Sequence, residues 1–206
     1  MIAALYVERG GTYFKRSDVD PWDKERDAKN YAGPWPVVAH PPCGAWGNLR
    51  HLYTGEDATL APIAVEQVRR WGGVLEHPRA SKLWSFAALP MPGEPADRFG
   101  GYTVEVRQVD WGHPARKPTW LYIVGVSPAE LVFPPPREPT HWISGFRGVC
   151  KRHGRTDCCA APVGIKICSA VQRRRTPPAF ADWLIGLARA ARRQQLELPL
   201  QQREDE

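Results

Sequence analysis

The sequence predicts an α/β fold, a mostly parallel sheet carrying an antiparallel hairpin at one edge. Three observations predict it. Apolar runs at 36–39 and 74–75 flank a segment of helical periodicity at 59–71, the pattern of a strand–helix–strand unit with its right-handed crossover. Two later runs, 102–110 and 119–126, are separated by a single turn at 111–118 and read as an antiparallel pair. An amphipathic helix near the carboxyl end offers an apolar stripe to lay against the sheet.

In chain order, residues 2–7 form the first strand and meet Gly10-Gly11, a pair that can admit a ligand to the backbone or simply turn the chain. Asp18, Asp20 and Asp23, interleaved with Pro21 and Trp22, read as an acidic solvated loop, with a hold on a ribose hydroxyl as the alternative. A short charged helix or turn follows at 24–31. Val37, Val38 and Ala39 favour a buried strand, and Pro41-Pro42 must turn the chain because neither donates an N–H. Cys43 is thereby presented on a stiff loop at the carboxyl end of a strand, the edge where open α/β sheets bind ligands. In the helix at 59–71, Thr59 is the expected cap, Leu60, Ile63, Ala64, Val68 and Trp71 are the inward stripe, and Gly72-Gly73 is the stop. The strand at 74–78 ends in Glu76-His77-Pro78, placing Glu76 and Cys43 at the ends of two parallel, neighbouring strands. In the last helix Thr176 is the expected cap, Pro177 the first helical residue, and Phe180, Trp183, Leu184, Leu187 and Ala188 the buried stripe.

Composition bounds the rest. The chain has 206 residues, 43% of them hydrophobic, with 21 prolines and nine tryptophans, which fits one domain with long stiff loops. The expected division is an α/β core at 1–126, a small irregular basic lobe at 127–170, a helix at 171–193 that packs on the core, and a frayed polar tail at 194–206. A formal charge of +6 favours an acidic partner, nucleic acid first. Arg50, Lys151, Arg152, Arg155, Arg173, Arg174 and Arg175 are the expected DNA contacts. No signal-peptide pattern or membrane span is readable, so a reducing cytoplasm is expected and the five cysteines read as thiols or metal ligands. Cys150, His153, Cys158 and Cys159 have the ligand types of a zinc knuckle, with ordinary thiols as the alternative.

Three stretches together resemble the DNA cytosine-5 methyltransferases, most closely the short phage-encoded relatives. His40-Pro41-Pro42-Cys43 is similar to the catalytic Pro-Pro-Cys loop. Val74-Leu75-Glu76-His77-Pro78 is similar to the Glu-Asn-Val strand end, with His77 for the asparagine. The segment 111–125 is similar to the Gly-x-Pro-Gln-x-Arg-x-Arg hairpin, with Ala115 on the glutamine, Lys117 on the first arginine and Thr119 on the second. The resemblance implies a Rossmann-like methyltransferase fold, Cys43 as nucleophile, Glu76 at cytosine N3, and Arg116 and Lys117 on phosphate or the flipped nucleotide. It further implies S-adenosylmethionine as methyl donor, held by Tyr6, Gly10, Gly11, Asp18, Asp20 and Pro41, and the cytoplasm of a bacterial host. The opening departs from the family pattern: Ala4 stands where the aspartate is expected and Glu8 where the first glycine is. Two alternatives stay open, a DNA-binding protein on a degenerate methyltransferase fold and a different base or nucleotide modification by the same Cys43–Glu76 pair.

Overall fold

The computed structural model of the chain describes residues 1–47, 50–52, 55, 57–143 and 164–197. Its centre is a six-stranded sheet of β1 (Ile2–Leu5), β2 (Val19–Trp22), β3 (Val37–Ala39), β4 (Gly73–Pro78), β5 (Tyr102–Arg107) and β6 (Pro118–Val124), in the spatial order β2-β1-β3-β4-β6-β5. The first four are parallel, β6 runs antiparallel to β4, and β5 pairs antiparallel with β6 at the edge. This is the mostly parallel α/β sheet with an edge hairpin that the sequence predicts.

Helix α1 (Leu60–Trp71) lies on one face. Ala61, Ala64, Val65 and Val68 are fully buried there against Ala3, Leu5, Val37, Ala39, Leu75 and Tyr122. The short α2 (Leu83–Phe86) joins it, setting Leu83 and Trp84 in the same cluster. The other face is covered by α4 (Pro178–Glu197), whose Phe180, Leu184 and Ala188 pack on Ile2, Val38, Val74, Leu121 and Ile123. Each large side chain sealed in this way stabilises the fold by roughly 1.5–3 kcal/mol. The remaining described elements are β7 (His141–Trp142) and β8 (Lys166–Ile167), a parallel pair, and α3 (Ala170–Arg174).

The connections alternate faces, and this fixes the site. From β1 the chain passes through a 3-10 turn at Thr12–Lys15, which buries Tyr13 on the α4 face, and returns as β2. From β2 it crosses on the α1 face, burying Ala28 and Tyr31. Strand β1 therefore has its successor in sequence on one side and β3 on the other. The strand order reverses between β1 and β3, and the crevice expected outside the carboxyl ends of those strands is where open α/β sheets bind ligands.

Several expectations are corrected in detail. The acidic stretch is a strand, β2: Val19 is buried, and Asp20 and Trp22 pair with Ala3 and Leu5. A proline within it is tolerated because β2 is an edge strand. Thr59 stands at the expected N-cap position of α1 but its side chain bonds no N–H of the first turn; it is held instead by Asp57, whose carboxylate accepts from the Thr59 N–H at 2.9 Å and the Thr59 hydroxyl at 2.6 Å. Helix α4 begins at Pro178, one residue later than expected, and runs to Glu197. Strand β5 stops at Arg107, and the chain folds inward through a 3-10 turn at Gln108–Trp111.

Gly73 opens β4 with φ of +112°, and a Cβ there would overlap the carbonyl oxygen of Val37. No side chain fits between two hydrogen-bonded parallel strands at that spacing. Gly73→Ala is expected to destabilise the fold by at least about 2 kcal/mol, measured by urea denaturation. Gly93→Ala, on an open loop with φ of +89°, is the control for backbone strain alone.

Candidate functional site

The strands end in step at the crevice. Leu5, Ala39 and Leu75 share one row across β1, β3 and β4, so Tyr6, His40 and Glu76 occupy the next. Tyr6 leaves β1 with φ of +59° and donates its hydroxyl to Gln67 of α1 at 2.9 Å. His40 remains tied to β1 through its N–H, which donates to the Leu5 carbonyl at 3.0 Å. Side-chain alternation then sends His40 and Glu76 to the α4 face and His77 to the α1 face.

On the α4 face a connected polar network forms. His40 Nδ1 lies 3.0 Å from Glu76 Oε2. Gln108 Nε2 donates to Glu76 Oε1 at 3.0 Å and to Thr119 Oγ1 at 3.0 Å, and Thr119 donates in turn to the Lys117 carbonyl at 3.0 Å. Tyr13 and His40 Nε2 are 2.7 Å apart. Burial alone would discourage charge on Glu76. The hydrogen bond from His40, with the nearby Lys117 cation and the two histidines, more than offsets it and pushes the carboxyl down to about 2. Glu76 is therefore an ionised carboxylate at neutral pH. Burial, with Glu76 nearby, pushes Tyr13 far above the usual phenol range, so it is a neutral hydroxyl.

On the α1 face His77 is fully buried, its ring edge-on to Trp84 at 6.4 Å between centroids. Burial pushes it down to about 4, against the opposing pull of Glu76 and of the Pro42 carbonyl. That carbonyl approaches without completing a hydrogen bond, and neither ring nitrogen has a partner among the described residues. His77 is thus a neutral imidazole in an aromatic slot.

Cys43 stands three residues beyond His40, exposed, at the start of a 3-10 turn at Gly44–Trp46. Trp46 anchors this loop: its carbonyl accepts from the Lys82 N–H at 2.9 Å, its indole donates to the Ala58 carbonyl at 3.2 Å, and its ring meets Phe86 at 4.9 Å. The thiol is presented by a pinned loop on the strand adjoining the one that carries the carboxylate.

Of the other expected residues, Lys117 and Arg116 lie on the β5–β6 turn. Lys117 has φ of +42° and its Nζ reaches the Arg175 carbonyl at 3.5 Å, while Arg116 is exposed. His113 of the same turn pairs through Nε2 with the Gln172 carbonyl at 3.0 Å. These contacts bring α3, with exposed Arg173 and Arg174, and the following Arg175, beside Arg116 and Lys117 as one basic rim. Arg50 is exposed on the loop beyond Cys43. Gly10, with φ of +68° and open space around it, and Gly11 follow Tyr6 at the crevice.

Two expected cofactor residues sit otherwise. Asp18 precedes β2 at the amino edge of the sheet, where its carbonyl accepts from the Ile2 N–H, and its carboxylate pairs with Arg189. The carboxylate of Asp20 is engaged by Arg26 and by the Trp22 indole, the latter at 2.9 Å. Lys151, Arg152, Arg155 and the proposed zinc ligands Cys150, His153, Cys158 and Cys159 lie outside the described residues. Among those described, no cluster of three metal-ligating side chains occurs, and no helix is long and apolar enough to cross a membrane.

Tyr13, His40 and Gln108 are the site residues that sequence reasoning did not assign, and Thr119, laid on the second arginine of the hairpin motif, serves instead as the hydroxyl that accepts from Gln108. His40 carried a signal, its place next to the proline pair. Gln108 looked like a solvent-facing strand residue. Comparisons with family models, curated proteins and solved structures found no match to this chain.

The depressed His77 has a consequence for stability. The unfolded chain takes up a proton near pH 6.5 and the folded chain only near 4, so stability is lost as the pH falls through that window. Glu76 adds a loss in the same direction below its ordinary value of 4.5. Between pH 7 and pH 5, His77→Leu is expected to remove roughly 2 kcal/mol of the decline in unfolding free energy. Urea titrations of both proteins at the two pH values measure it. An unchanged pH dependence in the variant would show that His77 is not held neutral.

Proposed function

We propose that the protein modifies DNA, transferring a methyl group to cytosine C5 through a covalent adduct on Cys43. One observation carries the reading: adjacent parallel strands deliver an exposed thiol loop and a half-buried, ionised carboxylate to the same crevice, beside a basic rim. Cytosine is unreactive at C5 until a nucleophile adds at C6. In this reading the Cys43 thiolate forms the bond to C6, and the displaced electron pair makes C5 nucleophilic. As the thiolate adds, N3 takes a proton from solvent water and donates a hydrogen bond to the ionised Glu76, which stabilises the charge that develops in the ring; the proton returns to solvent when the ring is restored. After C5 gains the methyl group it loses its proton to a base, the C5–C6 double bond re-forms, and the Cys43 sulfur leaves C6 as thiolate. The base must first leave the helix stack, and Arg116, Lys117 and the Arg173–Arg175 rim would hold the flanking phosphates.

S-adenosylmethionine would supply the electrophilic methyl group in this chemistry, its sulfonium S–CH3 bond breaking to leave the neutral thioether. Tyr6, Gly10, Gly11 and Pro41 lie beyond the carboxyl ends of β1 and β3, and the positive φ of Gly10 with the open space around it would leave backbone accessible to such a ligand. Asp18, at the opposite edge, is no part of that set. Asp20 would have to exchange its Arg26 and Trp22 contacts for a ligand hydroxyl.

Incubation with DNA and methyl-labelled S-adenosylmethionine is expected to label the DNA, and Cys43→Ser to reduce the rate at least roughly 1,000-fold. DNA containing 5-fluorocytosine, which has no C5 proton to lose, is expected to stay bonded to Cys43. Absence of both outcomes with folded protein overturns the catalytic reading. The engagement of Asp20 favours a second reading, DNA binding without methyl transfer. It predicts no heat on titration with S-adenosylmethionine, while the log of DNA affinity falls linearly with log salt. In either reading each phosphate contact removed from the Arg173–Arg175 rim should lower that slope by about 0.9.

A further inference from the structure

We propose that His40 is a positioning residue: Tyr13 fixes its tautomer, and the ring in turn holds Glu76 as an oriented carboxylate facing the crevice. The assignment rests on three contacts. Tyr13, a fully protonated phenol, can donate to His40 Nε2 at 2.7 Å. With Nε2 accepting from Tyr13, the ring N–H is on Nδ1, the nitrogen 3.0 Å from Glu76 Oε2. Gln108 donates to the other carboxylate oxygen, so the carboxyl plane is gripped from two sides. Thr119, whose own hydroxyl proton goes to the Lys117 carbonyl, leaves its oxygen to Gln108 and fixes which end of that amide faces Glu76.

The arrangement has the logic of an orienting residue behind a functional one, in which the outer partner sets the tautomer and the inner partner the geometry. Its elements come from four parts of the chain: the turn after β1, the end of β3, the end of β4 and the β5–β6 hairpin. The titratable and charged groups around it are Tyr13 and Arg16 from the first, His40 from the second, His77 beside Glu76, Lys117 from the hairpin, and Asp182 of α4 near Tyr13. Of these His40 alone makes a direct hydrogen bond to Glu76, so removing its donor should act on Glu76 more than on the surface charges.

The inference deepens the proposed chemistry of the same site, but one of its readouts is independent of activity. The Glu76 carboxyl is followed by carbon-detected NMR of protein labelled at the glutamate side chain, with Glu76→Gln assigning the resonance. His40→Ala is expected to raise the Glu76 titration midpoint by at least about one pH unit, a tenfold change in acid constant. His40→Asn, whose amide can donate from nearly the same place as Nδ1, should keep most of the wild-type value. Tyr13→Phe should raise it as well, because the ring is then free to carry its proton on Nε2. In the methyl-transfer assay the acid limb of kcat/KM against pH should move in the same order. An unchanged Glu76 titration in folded His40→Ala overturns the inference. If wild-type protein transfers no methyl group but the titration shifts as stated, the chemistry falls and the positioning role stands.

Discussion

A carboxylate largely withdrawn from water at the end of β4 has to be solvated mostly by the protein itself, and the surrounding loops are shaped by that demand. An unpaired buried charge would cost several kcal/mol even after relaxation. Glu76 avoids the cost by receiving His40 on one oxygen and Gln108 on the other, with Lys117 near enough to stabilise its charge. Each partner requires a specific local conformation. His40 must follow β3 in register with Glu76. Gln108 must turn in from the end of β5 instead of continuing the strand. Lys117 adopts a left-handed backbone, uncommon for a residue with a Cβ, and the hairpin closes over the carboxylate. The strict pairing of β3, β4, β6 and β5 is what brings these three loops to one point.

The residue after Glu76 shows the same strand serving a second purpose. Alternation puts His77 on the opposite face, in a slot that includes Trp84 and Trp120, where an ion would be unsolvated. It stays neutral, and its nitrogens go without partners among the described residues, an arrangement that costs stability unless something else requires it. The Pro42 carbonyl beside it belongs to the loop that presents Cys43. The imidazole therefore sits under that loop as a filler with a polar edge, linking the aromatic cluster of the α1 face to the turn that carries the thiol. A group behaving so differently from its neighbour one peptide away is a direct result of the two-residue period of the strand.

Much of this frame was legible in the sequence because it rests on local rules. The run 36–39, the proline pair, the periodic helix and the glycine stop specify β3, α1 and β4, and parallel pairing then makes Cys43 and Glu76 neighbours at one edge. The hairpin at 102–124 was equally clear from its alternation. The parts that escaped are those set by distant contacts. β2 reads as an acidic loop because Asp20 and Pro21 disfavour strands, and only pairing with β1 makes it one. Gln108 continues a polar–apolar alternation, and nothing local says that the chain breaks there to bury it. Tyr13 lies in a stretch without periodicity, and its link to His40 spans 27 residues. Asp18 and Asp20 could be grouped by closeness in sequence, yet the strand direction sends Asp18 to the far edge of the sheet.

The basic rim follows from how a short helix has its end satisfied. The last carbonyls of a helix lack partners within it and need donors from elsewhere. In α3 the Gln172 carbonyl is met by His113 and that of Arg175, just beyond its end, by Lys117, so the β5–β6 turn caps the helix with its own side chains. The hydrogen-bonding burden thus falls on backbone oxygens and leaves the guanidinium groups of Arg173, Arg174 and Arg175 exposed. A cation at a helix carboxyl end is also favoured by the peptide dipoles. Lys117 contributes in two directions at once: its ammonium steadies α3 and its field favours ionised Glu76. The charge state of the half-buried carboxylate and the placement of the exposed arginines are consequently linked through one side chain. An anionic partner that drew Lys117 away from Arg175 would alter the electrostatics of the crevice while it bound the rim.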